Sequence, residues 1–251
     1  MLCNEELLTI RNGSVTYKSA RVAALSDVSL TFRKGEFVCI LGKTGAGKST
    51  LIRTLNGLQP LSEGEIFYNK KVYSQLDREG LRQVRSNIGM IFQHHQLIPR
   101  LSVVQNVYTG LFGSRSTLRN LVGFFTSEEK ALARDVINQV ELLPFLNHRV
   151  DWLSGGQRQR VGIARALIQT PEVFLGDEPV ASLDPGTANR IFQLLERLHS
   201  ERQLLTIINV HDVKIAKRYA SRIVALKEGK VVFDDRPEAF TEDIEEMIFA
   251  Y

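Results

Sequence analysis

The chain has 251 residues, 43% of them hydrophobic, and its 32 basic and 28 acidic side chains give a formal charge of +4. The length allows one large domain or two small lobes, and so weak a positive charge does not favour nucleic-acid binding. Cys3 and Cys39 lack metal-ligand spacing and do not suggest a disulfide framework, which fits a reducing, cytosolic compartment. Because the N-terminal Glu5-Glu6 is not a basic leader and no run of about 18 apolar residues occurs, we expect neither a signal peptide nor a membrane span.

The first third of the chain is predicted to consist of short strands separated by turns. The predicted strands are Leu7–Ile10, Val28–Phe32, Glu36–Leu41, Gly64–Tyr68 and Lys71–Tyr73. A helix is expected over Ser49–Leu58, after a Gly-rich turn. The early strands are therefore expected to add an antiparallel sheet to a parallel core.

The middle of the chain, from about Leu76 to Glu141, is predicted to be largely helical. Its clearest helix is Ser127–Val140, where Ser127 can cap the helix and Glu128-Glu129 suit its positive end. Beyond it, helices are predicted over Arg158–Ile168, Thr187–Ser200 and Val213–Ala220, and strands over Val173–Leu175, Leu204–Val210 and Ile223–Leu226. This alternation predicts a parallel sheet covered by helices. No appended regulatory domain is expected after Phe233.

A phosphate-binding loop pattern lies between a predicted strand and a predicted helix: Gly42-Lys43-Thr44-Gly45-Ala46-Gly47-Lys48-Ser49, with Thr50 following. Its glycines let backbone amides converge on phosphate oxygens, and the helix N-terminus adds a favourable dipole. We expect Lys48 to reach the β- and γ-phosphates and the Ser49 hydroxyl to ligate Mg²⁺. The alternative is a Gly-rich turn without a ligand.

Two adjacent carboxylates follow the apolar strand Val173–Leu175. Asp177 is expected to hold Mg²⁺ through water, and Glu178 to orient and polarise an attacking water. Such a strand delivers its carboxylates to the carboxyl edge of a parallel sheet, where ligands bind in these folds. Without a phosphate loop upstream, the pair would more often be a solvated helix start.

A third motif, Leu153-Ser154-Gly155-Gly156-Gln157, precedes the predicted helix Arg158–Ile168. It forms a second helix N-terminus whose exposed amides suit a γ-phosphate. The alternative is a capped helix start with no ligand, since serine and glycine serve that purpose equally well.

The three motifs, in this order, resemble the ATPase subunit of the ABC transporter superfamily over nearly the whole chain. The resemblance implies an α/β P-loop NTPase fold, with a parallel-sheet core, an N-terminal antiparallel β subdomain and an inserted helical subdomain. The single nucleotide-binding domain spans 1–251, with the core over about 1–92 and 158–251 and the insertion over about 93–157. It also implies a homodimer that binds ATP and Mg²⁺, with the phosphate loop of one subunit facing Ser154 of the other.

The resemblance further assigns roles to single residues. Gln93 corresponds to the glutamine that touches Mg²⁺ and the attacking water, and His211 to the histidine that contacts the γ-phosphate. Asp184, in Ser182-Leu183-Asp184, corresponds to a loop that crosses the subunit interface. Tyr17 lies where the family places an aromatic ring against adenine. Taken alone, each of these residues would more often be structural or merely exposed.

A narrower resemblance, to the ATPase of phosphonate-type importers, rests on Leu55-Asn56-Gly57-Leu58, Arg100-Leu101-Ser102-Val103, the segment 177–185 and the segments around Tyr219-Ala220 and Val232-Phe233-Asp234. The chain departs from that group at His94-His95, Gly176 and Asp235. The resemblance implies uptake of phosphonate, phosphite or a related oxyanion, through membrane permease subunits and, indirectly, a periplasmic or extracellular binding protein. The ATPase would lie at the cytoplasmic face of the membrane and bind no nucleic acid.

Two alternatives to this importer remain open: a soluble ABC ATPase acting on ribosomes or DNA, and an importer ATPase for another small anion. The single cassette, without a heptad run, disfavours the first. A regulator that does not hydrolyse ATP is disfavoured by the presence of Glu178 and His211. In this family the apolar segment from Gln96 to Val107 lines a groove for a short permease helix, but packing in a helical core explains its apolar residues equally well.

Overall fold

The computed structural model describes residues 5–17, 22–93 and 96–249, except the side chains of residues 117 and 122. Its strands are β1 (Glu6–Val15), β2 (Leu25–Arg33), β3 (Phe37–Leu41), β4 (Glu63–Tyr68), β5 (Lys71–Val72), β6 (Ile88–Ile91), β7 (Val173–Gly176), β8 (Leu205–Asn209), β9 (Arg222–Lys227) and β10 (Lys230–Asp235). They form a four-stranded antiparallel sheet, in the order β2-β1-β4-β5, and a six-stranded sheet, in the order β10-β9-β3-β8-β7-β6. Within the larger sheet only β10 runs antiparallel to its neighbour.

Helices cover these sheets and connect many of their strands along the chain. They are α1 (Lys48–Leu55), α2 (Arg78–Ser86), α3 (Val103–Tyr108), α4 (Thr117–Val122), α5 (Ser127–Gln139), α6 (Gly155–Leu167), α7 (Pro185–Arg202), α8 (Val213–Tyr219) and α9 (Glu242–Phe249). In the part of the chain that the structure describes, no helix has the length and apolar character needed to cross a bilayer.

The central strand β3 is buried on both faces and divides the hydrophobic core in two. Phe37, Cys39 and Leu41 pack on the side of α6, α7 and α8, whereas Val38 and Ile40 pack on the side of the antiparallel sheet and α1. This alternation follows from the two-residue period of a strand. The larger sheet is therefore the middle layer of a three-layer α/β fold, and the predicted fold class is confirmed.

Most of residues 76–141 is helical, as predicted, but the prediction missed one strand. The segment contains β6, which pairs in parallel with β7 at the edge of the larger sheet. Four apolar residues between two helices are too few for a helix of their own but enough for a buried strand. This strand places Gln93 beside the carboxyl end of β7.

Smaller corrections concern element ends. The cap of α5 is Thr126 rather than Ser127: the Thr126 hydroxyl accepts from the Glu129 amide at 3.2 Å, and the Glu129 carboxylate accepts from the Thr126 amide at 2.9 Å. This reciprocal pair satisfies two amides that a Ser127 cap would leave open. Strand β10 and helix α9 were not predicted, and Gly155, rather than Arg158, is the first residue of α6.

Candidate functional site

The phosphate loop connects β3 to α1 and wraps around the buried side chain of Lys48. The ammonium group donates to the carbonyl oxygens of Gly42 at 2.8 Å and Lys43 at 3.2 Å. Burial lowers the pKa of Lys48, and the negative charges of Glu178 and Asp177 oppose that shift. The structure thus holds a desolvated cation at the N-terminus of α1, where anions bind favourably.

Glycine is required at the last turn of this loop. Gly47 has a φ of 103°, and a Cβ at this position would lie 2.4 Å from the carbonyl oxygen of Ala24. Gly45 also has a positive φ, of 85°, but a Cβ there would meet nothing within 4 Å. Both glycines therefore have backbone angles that other residues rarely adopt, but only at Gly47 would an added Cβ also clash with a neighbouring atom.

We expect Gly47→Ala to lower the free energy of unfolding by about 1–3 kcal/mol more than Gly45→Ala does, because only the former adds a clash with backbone. Chemical denaturation of both variants without nucleotide measures the difference. Equal destabilisation would mean that the contact with Ala24 relaxes at no cost.

Asp177, the first of the two carboxylates, is buried at the carboxyl end of β7. Its Oδ1 accepts from the Ser49 hydroxyl at 2.7 Å and from Asn209 Nδ2 at 2.9 Å. The Arg53 guanidinium lies 3.7 Å from its Oδ2. The hydroxyl and carboxylate oxygens predicted to serve Mg²⁺ are therefore side by side.

Glu178 is in contact with three of the other predicted site residues. Its Oε2 accepts from Gln93 Nε2 at 3.0 Å, while its Oε1 lies 2.7 Å from His211 Nε2 and 4.0 Å from the Lys48 ammonium. Its φ of 52° is rare for a residue with a side chain and is the kind of local strain that functional sites retain. The glutamine follows β6, the histidine follows β8, and the lysine begins α1, so residues distant in sequence converge on one carboxylate.

Tyr17 lies next to the first helix of the site. Its hydroxyl is 3.2 Å from Thr50 Oγ1, and either group can donate. The ring is partly exposed. This position leaves an aromatic surface near the phosphate loop, as an adenine-stacking residue requires.

The third motif lies at a separate concave surface. Ser154, Gly155, Gly156 and Gln157 line it, and so does the loop over Ser182, Leu183 and Asp184. No phosphate-loop residue is among its described lining. The structure therefore brings the third motif together with Asp184 but not with Lys48.

Both interpretations of the third motif have support in its geometry. The Ser154 hydroxyl accepts from the Gln157 amide at 3.2 Å, and the Gln157 side chain accepts from the Ser154 amide at 2.9 Å. This reciprocal cap supports the interpretation as a capped helix start. It leaves the amides of Gly155 and Gly156 free of the cap, so they can also donate to a ligand. A Cβ on Gly156 would lie 2.6 Å from the Thr187 methyl group, so α7 approaches closely only because glycine is present.

Two polar residues of the site were missed in the sequence. Asn209 ends β8, is fully buried and donates to Asp177, while Arg53 faces the same carboxylate from α1. The signal for Asn209 was an amide at the carboxyl end of an otherwise apolar strand. Arg53 gave no such signal, since basic residues near helix ends are common.

The apolar segment from Gln96 to Val107 has features of both a packed helical core and a groove for a permease helix. Val103 and Val107 are fully buried in the helical core, whereas Ile98 is exposed. A groove lies beside the segment, lined among others by Gln96, Phe92 and Arg165. His94-His95, noted as a departure from phosphonate-type importers, lies outside the described residues.

Comparisons with known proteins agree with this arrangement. The ABC transporter family matches residues 25–181. A phosphonates import ATP-binding protein of Oceanobacillus iheyensis (PhnC 2) is 42% identical over 98% of this chain and 96% of its own length. A protein of the same description from Bdellovibrio bacteriovorus is 43% identical over 97% of this chain and 93% of its own length.

Solved structures give the same result for the fold. A dimeric structure of MJ0796, described as a bacterial ABC transporter cassette, is similar with a TM-score of 0.81 at 35% identity, covering 92% of this chain and 99% of that one. A post-hydrolysis dimer of MJ0796 bound to ADP and Pi has a TM-score of 0.80 at 34% identity and the same coverage. The chain therefore belongs to the ABC transporter family and is one of its ATPases.

Proposed function

We propose that the chain is the ATP-hydrolysing subunit of an importer for phosphonates, phosphite or a related phosphorus oxyanion. The observation that carries this proposal is the near-complete overlap, at 42–43% identity, with relatives described as phosphonates import ATP-binding proteins. Similarity that extends over both whole chains covers the surfaces that contact other subunits as well as the ATP site. The cargo itself is not expected to touch the ATPase.

In this proposal the phosphate loop binds the phosphates of ATP and Tyr17 stacks on the adenine. Lys48 is held 4.0 Å from Glu178 by a loop that already surrounds its ammonium with carbonyl oxygens. An incoming phosphate offers this desolvated cation a full negative charge in place of carbonyl dipoles. Binding at Lys48 is therefore driven by charge compensation inside the loop.

The residues around Asp177 fit a Mg²⁺ ion that arrives with ATP. A hydroxyl and a carboxylate oxygen 2.7 Å apart are the hard oxygen donors that this ion takes from proteins, with phosphates and water completing its shell. The Ser49 hydroxyl would hold the ion directly and Asp177 through water, with Gln93 beside them. When bound, Mg²⁺ neutralises charge on the β- and γ-phosphates.

Glu178 positions the attacking water in this mechanism. Gln93 and His211 contact its two oxygens, Oε2 at 3.0 Å and Oε1 at 2.7 Å, so the carboxylate has a defined orientation before the water arrives. It accepts a hydrogen bond from the water and increases its nucleophilicity. In this proposal His211 contacts the γ-phosphate, and its Nε2 lies 2.7 Å from the same carboxylate.

Two copies of the chain form the complete ATP sites. Ser154 and Asp184 share a surface distinct from the phosphate loop, which supports a site closed by the partner's third motif. Closure around two ATP molecules and reopening after hydrolysis then move the permease subunits between inward-facing and outward-facing states. The ATPase works at the cytoplasmic face of the membrane, bound to these permeases and only indirectly coupled to the substrate-binding protein.

Deleting the gene for this chain is expected to abolish growth of its host on phosphonate or phosphite as the only phosphorus source. Growth on phosphate should continue, because phosphate enters by other systems. Complementation with the intact gene, and with a Glu178→Gln version as the matched control, separates loss of ATP hydrolysis from loss of expression. Normal growth of the deletion strain on every reduced-phosphorus source, without a second importer, would refute the cargo but not the ATPase.

A further inference from the structure

Four large apolar side chains are exposed around helix α4, in the helical part of the chain. Leu121 is 83% exposed, Leu118 72%, Phe124 66% and Phe112 41%. Leu118 and Leu121 are three residues apart on α4 and so lie on one face of it. We call these four residues the apolar tip.

The backbone that carries the apolar tip is anchored from inside. The buried Arg115 guanidinium donates to the Phe124 carbonyl oxygen, and its Nε lies 3.2 Å from Glu129 Oε1. On the other side, Arg82 of α2 donates to the Gly113 carbonyl at 2.7 Å. A buried arginine and a second one from a neighbouring helix thus fix the two ends of the α4 region, so the tip has a defined shape.

The adjacent residues Phe124 and Phe125 have opposite environments. Phe125 turns inward and stacks on Tyr108, with ring centroids 4.0 Å apart, while the adjacent Phe124 points outward. Asn120 Nδ2 further ties the tip together by donating to the Phe112 carbonyl at 3.0 Å. Grouped apolar side chains exposed on an anchored backbone are typical of a contact surface.

Basic residues border the apolar tip. Two glutamates, Glu128 and Glu129, follow the tip in the sequence, and Glu129 is paired with the buried Arg115. Arg119, between the two leucines of α4, is exposed, and the Lys130 ammonium lies 5.9 Å from the centre of the Phe124 ring. Apolar side chains flanked by cations are the composition of segments that lie in the interface of an anionic bilayer.

We propose that the apolar tip inserts into the headgroup region of an anionic phospholipid bilayer, with Arg119 and Lys130 at the lipid phosphates. The inference rests on the proposed function, which places the chain at the membrane, and adds a contact that needs no permease. A bilayer is favoured over a protein partner because side chains exposed by 66–83% are accompanied by the cations Arg119 and Lys130, which suit lipid phosphates. Lipid tails adapt to the shape of the tip.

Sedimentation of the full chain with vesicles tests the proposal. The chain should bind vesicles that contain phosphatidylglycerol and bind vesicles of phosphatidylcholine alone more weakly. Added salt should release it from the anionic vesicles. Leu118→Gln combined with Leu121→Gln should lower the partition constant at least about tenfold, because two leucines no longer enter the acyl boundary. Val232→Gln with Met247→Gln, which alters exposed apolar residues elsewhere, is the matched control and should leave binding unchanged.

A depth probe makes the contact specific to the tip. A fluorophore attached at Leu121→Cys, in a Cys3→Ser background that leaves only the buried Cys39, should be quenched by brominated lipid tails. The same fluorophore at Met247→Cys should not be quenched. Thermal unfolding of each variant checks that the fold is retained.

Three outcomes overturn the proposal. They are failure of the intact chain to bind anionic vesicles, equal binding by the double leucine variant, and equal quenching at the two labelled positions. If the leucine variant keeps vesicle binding but no longer co-purifies with its permease, the tip is a protein-docking surface instead. The vesicle experiment uses neither nucleotide nor cargo. Failure of the membrane-contact proposal can therefore be distinguished from failure of the proposed importer function, which the growth experiment tests.

Discussion

Glu178→Gln is expected to reduce steady-state ATP turnover by at least about 100-fold while MgATP binding stays within a few-fold of the intact protein. The new carboxamide has the same size, and it can still accept from Gln93 at one end. At its other end it can donate to His211, whose ring nitrogen accepts in the other tautomer. The local contacts are thus preserved, whereas the negative charge that polarises the water is lost. Lys48 is unchanged, so we expect it to keep the phosphate contacts proposed for it.

Glu172→Gln provides a matched control for this variant. Glu172 immediately precedes β7, at the end opposite to Glu178, and accepts a hydrogen bond from the Tyr68 hydroxyl. An amide oxygen can accept the same bond, so we expect near-normal turnover. Phosphate release at saturating MgATP, together with binding of a fluorescent ATP analogue, measures both quantities. Comparable turnover by the intact and Glu178→Gln proteins would remove Glu178 from its proposed role.

The parts of the site that sequence predicted best are those coded by contiguous residues. The loop from Gly42 to Ser49 combines a strand, a glycine turn and a helix start in one segment, so its local structure and its chemistry follow together. Asp177 and Glu178 likewise end a predicted apolar strand. The structure places all of these at one edge of the larger sheet, as the parallel arrangement of β3, β7 and β8 requires.

The parts that sequence could not predict depend on contacts between distant segments. Strand β6 has only four residues, and its identity as a strand depends on pairing with β7, 85 residues along the chain from Ile88 to Val173. Asn209 matters because it meets Asp177 across neighbouring strands, which no local pattern encodes. The exposed face of α4 was also missed, because its apolar residues gave the same signal that a buried helix would give.

A second experiment asks whether each ATP site is shared between two chains. Its design must take into account that Ser154 caps helix α6. Ser154→Arg places a bulky cation where the γ-phosphate should meet the amides of the third motif. It also removes the cap of α6, at a cost of roughly 1 kcal/mol, so its unfolding transition must be measured first. Lys48→Ala deletes the cation of the phosphate loop. In a homodimer either change alone spoils both sites, and neither variant should trap ATP.

Mixed dimers of these two variants should regain ATP occlusion. One site of each mixed dimer then carries both changes, while the other pairs an intact phosphate loop with an intact third motif. With equal amounts and random exchange, half of the dimers are mixed, so about a quarter of all sites are restored. Adding Glu178→Gln to both chains keeps the trapped ATP from being hydrolysed, and occlusion of labelled ATP is the measurement. If verified mixed dimers occlude no more ATP than the separate variants do, Lys48 and Ser154 act on ATP within a single chain and the shared site is wrong. Occlusion near the expected quarter would instead mean that the phosphate loop of each subunit is completed by the third motif of its partner.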